Sequence, residues 1–144
     1  MASVFDVAKY ILHIKGKMST WKLQKLCYYC QAWHLAWTGE ELFPEDFQAW
    51  RNGPVCQELF NEHRGHFFVD ENEIGKGDAG NLKENEIESV ITVLNDYGEM
   101  EPYELREQTH GEQPWIIARG DLPESAPSNA IITKESMGEY YGGL

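Results

Sequence analysis

Apolar residues recur at intervals of three and four along most of the chain, a spacing typical of amphipathic helices. This spacing predicts a first helix that begins after Ser3, a residue type that caps helices, and ends at Gly16. Ser19 or Thr20 caps a second predicted helix over residues 20–38. Apolar side chains occupy nearly every face of this second helix, so we expect it at the centre of the molecule.

Shorter elements follow the second predicted helix. Residues 47–50 alternate and predict a brief strand, and residues 66–69 predict another. Asn52-Gly53-Pro54 predicts a turn, with Pro54 at the first position of a third helix, where its missing N–H costs nothing. Residues 70–80, acidic and rich in glycine, predict a mobile surface loop.

The last part of the chain predicts two helices and then a third, short one. Asn81 is the predicted cap of the first, Pro102 begins the second, which reaches about Thr109, and Thr133 is the predicted cap of the last. The segment that contains Pro114 and Trp115 is predicted to be a loop.

These elements predict a mainly α fold. We expect a compact single-domain helical bundle around the central hydrophobic helix at about 20–38, with a small β element near 47–50 and 66–69. A length of 144 residues suits one domain, so residues 1–144 are expected to form it. Residues 120–144 are expected to be a C-terminal extension, with a Pro-rich linker at 122–128.

The net charge of −12 lies entirely in the second half of the chain. Residues 1–65 hold seven acids and seven bases, and residues 66–144 hold seventeen acids and five bases. Such a surface repels nucleic-acid phosphates and attracts basic proteins, unless it only keeps the domain soluble. The chain has no long apolar run and no secretory start, and its three cysteines are an odd number. We therefore expect no nucleic acid, no membrane and a cytoplasmic location.

The residues that metals and nucleophilic catalysis use are few. Cys27, Cys30 and His34 share one helix face and are weak candidates for a zinc site, because structural zinc sites usually bring ligand pairs from two segments. Burial as small apolar side chains is the favoured interpretation of the two cysteines, and no cofactor is expected. Cys56 is a candidate nucleophile in the first turn of the third helix, where a thiolate would be favoured. His110 and Glu112, two residues apart, are a candidate acid–base pair.

Lys22 and Lys25 stand in the first turn of the second helix, where the helix dipole disfavours cations. Either an internal carboxylate compensates them, with Glu41 and Asp46 as candidates, or an external partner does.

The five tryptophans form two groups. Trp33 and Trp37 follow the apolar stripe of the second helix and are predicted to lie in the core. Trp21, Trp50 and Trp115 flank turns, where a tryptophan is either a lid on the core or an anchor for a partner.

Three separated segments resemble one family in order and spacing. The first reads WKLQKLCYYCQAW (21–33), the second FQAWRNGPV (47–55), and the third THGEQPW (109–115), closed by Ala118-Arg119. Together they resemble the Panacea domain, the family of the SocA-type antitoxin and of GepA-like prophage proteins, over roughly residues 3–137. Cys27 and Cys30 stand where the family often has Leu and Ala.

The resemblance implies an antitoxin-like protein, not an enzyme. It is expected to neutralise a cognate bacterial or phage toxin by direct protein–protein binding, and the toxin gene is expected to be adjacent. One alternative is an adaptor that delivers a toxin or client to a AAA+ protease, for which the tail Tyr141–Leu144 could serve. The other is an enzyme that uses His110 with Glu112, or Cys56.

The resemblance also carries a set of residues over as candidates for partner binding or for the network that supports it. They are Lys22, Gln24, Lys25, Tyr28, Tyr29, Trp50, Arg51, Gly53, Pro54, His110, Trp115 and Arg119.

Overall fold

The computed structural model describes all 144 residues and is mainly helical, as predicted. Its helices are α1 (Val4–Lys15), α2 (Thr20–Thr38), α3 (Gln57–His63), α4 (Glu84–Tyr97), α5 (Pro102–His110), α6 (Gln113–Arg119) and α7 (Lys134–Gly142). Its strands are β1 (Met18–Ser19), β2 (Phe47–Trp50), β3 (Gly53–Val55), β4 (Phe68–Val69) and β5 (Ile131–Ile132). Two 3₁₀ turns precede α4, at Glu71–Glu73 and Ala79–Asn81.

Helix α2 is the central element, as its pattern predicts. It packs against α1, α4, α5 and α7. Its stripe is buried at Leu23, Leu26, Cys27, Cys30 and His34.

The end of α2 departs from the predicted core stripe. Trp37, one residue before the end of the helix, is 47% exposed, so its predicted place in the core is wrong. Its ring stacks on the half-buried Trp33 at 5.5 Å.

The N-terminal helix begins as predicted. The Ser3 side chain accepts a hydrogen bond from Asp6 N, and Asp6 Oδ2 accepts from Ser3 N at 2.8 Å. Asp6 also holds the segment predicted to be a mobile loop, because its Oδ1 accepts from Asp78 N at 2.7 Å. The segment also contains the buried Ile74 and two 3₁₀ turns, so it is more ordered in its local structure than its composition indicates.

The strand predicted at 47–50 is confirmed as β2, the middle strand of an antiparallel sheet of order β3-β2-β5. The strand predicted at 66–69 is limited to Phe68–Val69 and pairs with Met18–Ser19.

Both Pro54 and Pro114 lie in elements other than the predicted ones. Pro54 belongs to β3 and not to a helix; it faces Ala49 on an edge strand, where a residue without an N–H is tolerated. Pro114 lies in the first turn of α6, so the loop predicted around Pro114 and Trp115 is wrong. Asn81 does not cap α4, which begins at Glu84 after Lys83.

The C-terminal segment is part of the same packed unit. β5 pairs with β2, and α7 packs along α2. Thr133 caps α7, as predicted. Tyr141 is buried and still helical, so the tail predicted at Tyr141–Leu144 is reduced to its last two residues.

No helix in the chain combines the length and the apolar character that a membrane crossing needs.

Candidate functional site

Three clefts meet at Trp21, where the start of α2 faces the β2–β3 turn and α5. The largest, about 770 Å³, lies between Trp21, the β2–β3 turn and residues 127–129. A second of about 220 Å³ extends to Phe67, and a third of about 190 Å³ extends to α5. We call this surface the Trp21 face and define it by Trp21, Lys25, Trp50, Arg51, Asn52, Phe67, Tyr103 and Arg106.

Hydrogen bonds from two helices fix the β2–β3 hairpin beneath this face. Trp115 Nε1 of α6 donates to Trp50 O at 2.9 Å, and Arg119 Nη1 donates to Ala49 O at 2.9 Å. From α2, the Gln24 amide binds both backbone groups of Cys56, accepting from N at 2.8 Å and donating to O at 3.2 Å. The predicted motif residues Gln24, Trp115 and Arg119 therefore support the face from within.

Gly53 lets the Lys25 side chain lie against the hairpin backbone. Its φ is +116°, a conformation that residues with a side chain rarely adopt. A Cβ at this position would lie 2.4 Å from Lys25 Cε, well inside contact distance. Only glycine therefore fits at position 53, because the Lys25 side chain occupies the space that a Cβ would need.

The Lys25 amine is buried without a partner. The residue is 1% exposed, and its Nζ makes no hydrogen bond. Burial, with the charge of Arg106 as a smaller cause, lowers the pKa of Lys25 from 10.5 to about 7. The nearest aromatic ring is that of Trp21, whose centroid lies 5.1 Å from Nζ.

The internal carboxylates predicted for the two lysines are bound elsewhere. Lys134 Nζ lies 2.7 Å from Asp46 Oδ1 and 3.5 Å from Glu41 Oε2, so the predicted pairing with Lys22 or Lys25 is wrong. Lys22 is half-buried, lines none of the three clefts and makes no ion pair. Of the two lysines, only Lys25 therefore belongs to the Trp21 face.

Arg106 of α5 completes the wall of the third cleft. Its Nε donates to Asn52 Oδ1 at 3.3 Å, which links α5 to the β2–β3 turn. Its Nη1 donates to Glu107 Oε1 at 2.8 Å, on the solvent side. Arg51, an exposed residue of the same turn, reaches Ser125 O at 3.5 Å.

The Trp21 face carries positive charge on an acidic protein. Four basic residues line its clefts and the adjoining one at Arg51: Lys25, Arg51, Arg64 and Arg106. Of the 24 acids in the chain, only Glu124 lines any of them. The face therefore has the opposite sign to the rest of the molecule.

Large aromatic side chains are exposed on this face. Trp21 is 39% exposed, Tyr103 68% and Phe67 81%. Aromatic and arginine side chains dominate the energetics of protein interfaces, so their combination here is typical of a docking surface.

His110 and Arg119 both contact Trp115 and hold the following loop. The His110 ring stacks on Trp115 at 3.9 Å, and the Arg119 guanidinium carbon lies 4.8 Å from the same ring. His110 Nδ1 lies 3.0 Å from Glu124 Oε1, and Arg119 Nη2 donates to three backbone carbonyls, those of Pro123, Glu124 and Ala126. Burial lowers the pKa of His110, against the effect of Glu124.

Tyr28 and Tyr29 belong to the core. Tyr29 Oη donates to Glu112 Oε1 at 2.8 Å, and Tyr141 Oη donates to the same oxygen at 2.7 Å. Tyr28 Oη lies 3.3 Å from Tyr141 Oη. Both predicted residues are thus part of a buried network and do not face a partner.

Neither predicted catalytic arrangement has the geometry its chemistry needs. Glu112 is occupied by Tyr29 and Tyr141, while His110 faces Glu124, so the two do not act as a pair. Cys56 precedes α3 as its N-cap residue, and burial raises the pKa of its thiol to about 12. The backbone N–H groups of Glu58 and Leu59 in α3 lower this pKa, as the prediction expects, but burial outweighs them.

The predicted zinc candidates are core residues. Cys27 and Cys30 are free and buried, and burial raises the pKa of both thiols. His34 Nδ1 is hydrogen-bonded with Ser89 Oγ at 2.7 Å. No group of three potential ligands in the chain is arranged to hold a metal ion.

Asn52, Phe67, Tyr103 and Arg106 belong to the face but were not predicted from the sequence. Arg106 offered a signal, because it is one of only five basic residues in the second half of the chain. Asn52 and Tyr103 offered none, since only the approach of α5 to the hairpin gives them a shared cleft.

Comparison with known proteins adds one finding. The sequence model described as antitoxin SocA-like, Panacea domain, matches residues 23–116, which include the whole β2–β3 hairpin, most of α2 and the first part of α6. No curated protein and no solved structure matches the chain.

Proposed function

Because the chain belongs to the antitoxin SocA-like, Panacea domain family, we propose that it neutralises a toxin protein by binding it directly through the Trp21 face. The expected toxin is the product of an adjacent gene. Binding alone is sufficient for this activity, so the proposal assigns the chain no catalytic step.

The Trp21 face is the observation that supports this proposal. It joins exposed Trp21, Tyr103 and Phe67 to a positively charged centre on an otherwise acidic molecule. The hairpin beneath it is fixed by side-chain hydrogen bonds from α2 and α6. A rigid, aromatic surface of distinct charge loses little conformational entropy when a partner docks.

The first test is growth of a bacterial culture that expresses the adjacent gene with and without this chain. Growth arrest by the neighbour alone, and recovery on co-expression, is the expected result. A harmless neighbour would remove the adjacent gene as the partner, and an arrest that this chain does not relieve would contradict the proposal.

Trp21→Ala tests whether the Trp21 face is the docking surface. Loss of an exposed tryptophan at the centre of an interface costs about 2 kcal/mol or more, so the Kd for the toxin should rise at least about thirtyfold. Trp37→Ala is the matched control, since Trp37 is similarly exposed at the other end of the same helix. Isothermal titration calorimetry of both variants measures the effect, and equal Kd values for the two would place the interface elsewhere.

The protease-adaptor alternative could use the tail Tyr141–Leu144. Within that tail, Gly143 and Leu144 lie outside α7. Deletion of these two residues should leave toxin neutralisation unchanged, because neutralisation by binding requires no signal for a protease.

A further inference from the structure

We propose that the cleft between Trp21, Lys25, Asn52, Tyr103 and Arg106 receives the carboxylate of an acidic side chain on the protein partner. This inference rests on the proposed function and names the chemistry that the Trp21 face recognises. We call this space of about 190 Å³ the Lys25 cleft.

The Lys25 amine is the feature that requires explanation. A buried ammonium without a hydrogen-bond partner costs several kcal/mol, and proteins rarely keep one without compensation. The Lys25 side chain has a space of its own against the hairpin, because Gly53 has no Cβ there. Nζ has no partner, and the side chain lines a cleft. These are the properties of a binding group whose partner comes from outside.

The neighbours of Lys25 favour an anion. Arg106 approaches it from α5, whereas His63 of α3 is buried and neutral, because its Nε2 accepts from Gln24 Nε2 at 3.0 Å and burial lowers its pKa. The β2–β3 turn contributes Asn52 and Gly53, which carry no charge. No carboxylate lines the Lys25 cleft. Asn52 Oδ1 accepts from Arg106, which leaves the Asn52 amide NH₂ free to donate.

The size and walls of the cleft favour a carboxylate on a short stem. About 190 Å³ holds several water molecules or one acidic side chain. The walls at Trp21, Pro102 and Tyr103 are apolar and suit the methylene groups of Asp or Glu. Since Glu107 already binds Arg106, Lys25 is the remaining cation of the cleft and supplies at most one positive charge, which matches a singly charged oxyanion better than a phosphate.

Trp21 lies beside the amine. Its indole centroid lies 5.1 Å from Nζ, and Nζ is closed to solvent in the free protein. A carboxylate oxygen that reaches Nζ must therefore displace one of the side chains that line the cleft.

Binding should take up a proton above neutral pH. In the free chain the pKa of Lys25 is about 7, and a carboxylate against the amine raises it. Between the free and the bound pKa, each unit of pH should weaken binding by up to tenfold. Below about pH 7 the amine is already charged, so this dependence should disappear.

The first arm of the test uses the free chain and small anions. Sodium acetate, sodium phosphate and sodium chloride are titrated at constant ionic strength while NMR follows the Lys25 ¹³Cε resonance. Acetate should shift the resonance and raise the Lys25 pKa, and should do neither for Lys22. Absence of an acetate effect overturns the carboxylate site, and a stronger effect of phosphate overturns its assignment to a carboxylate.

Arg106→Gln is the variant for this arm, because it keeps Lys25 and removes the second cation. It should weaken the acetate effect several-fold. If Lys25 responds to acetate equally in both proteins, the cleft as proposed is wrong.

The second arm uses the toxin and compares Lys25→Met with Lys22→Met. The Kd of the Lys25→Met complex should rise at least tenfold at pH 7 and lose its dependence on pH, while Lys22→Met should behave as the wild type. If the wild-type chain neutralises no toxin, the proposed function fails and the acetate arm still decides the cleft. If the wild type neutralises the toxin and Lys25→Met binds it equally well, the cleft inference fails while the proposed function stands.

Discussion

At the residue scale, the contact between Gly53 and Lys25 shows how one glycine sets the position of a charged group. The contact joins the hairpin to α2 and keeps the amine away from solvent. A side chain at position 53 would overlap with the Lys25 side chain in its present position.

Gly53→Ala should therefore destabilise the chain by about 2–3 kcal/mol. The new Cβ adds both backbone strain at φ +116° and a 2.4 Å clash with Lys25 Cε. Gly39→Ala is the control, because Gly39 has φ +77° and no atom within 4 Å of its Cβ position, so that it tests the strain alone. Urea denaturation measures both, and equal losses would show that Lys25 moves aside without cost.

The buried amine should make stability depend on pH in an unusual direction. The folded pKa of about 7 lies below the unfolded value of 10.5, so the unfolded state binds more protons between these limits. Stability should rise with pH across this window, by on the order of 4 kcal/mol. Lys25→Met, measured by urea denaturation from pH 6.5 to 10, should lack this rise; a parallel rise in both proteins would assign it to other groups.

The sequence singled out Lys25 but misplaced its surroundings. The helix-dipole argument placed both lysines in the first turn of α2, but the helix begins at Thr20, so Lys22 lies in the first turn and Lys25 in the second. Which of the two is buried depends on the hairpin that packs over α2, and Glu41 and Asp46 are occupied by Lys134 from the far end of the chain. Such long-range pairings leave no local signal.

At the element scale, the predictions succeeded where a local signal decides the structure. Caps and stops fixed α1 and α2, and alternation fixed β2. The predictions for Pro54 and Pro114 were wrong because proline permits both an edge strand and a first helical turn. Pairing with β2 places Pro54 in a strand, and Pro114, which has no such pairing, lies in a first helical turn.

Helix α7 stabilises the fold, although no sequence motif indicated that it packs against α2. Tyr141→Phe should lower the free energy of unfolding by about 1–2 kcal/mol, because it removes the Tyr141 hydroxyl that donates to the buried Glu112. Tyr140→Phe is the control, since its half-buried hydroxyl makes no hydrogen bond to another side chain. Thermal denaturation of both variants measures the difference, and equal melting temperatures would show that water replaces Tyr141 at Glu112.

At the scale of the whole molecule, charge acts in two ways. The net charge of −12 repels acidic proteins at a distance, whereas the Trp21 face is positive at contact. A partner that fits both conditions is a neutral or basic protein with an acidic side chain on its binding surface.

The same net charge should make the free chain sensitive to salt. The 24 acids exceed the 12 bases, and self-repulsion among them is screened at high ionic strength. Stability in urea should increase by about 1 kcal/mol between 10 mM and 300 mM NaCl. Sucrose serves as a control for preferential exclusion, and a chain that is stabilised by sucrose but not by NaCl would show that repulsion is negligible.

The closure of the core by α7 has a consequence for synthesis of the chain. The Tyr28–Tyr141 contact joins residues 113 positions apart, and Tyr141 and Met137 fill the space beside the central helix. While the ribosome is still adding these residues, α2 has one apolar side uncovered. The native core therefore forms only after residue 141 has left the ribosome, and until then a nascent chain exposes apolar rings of α2 that favour aggregation.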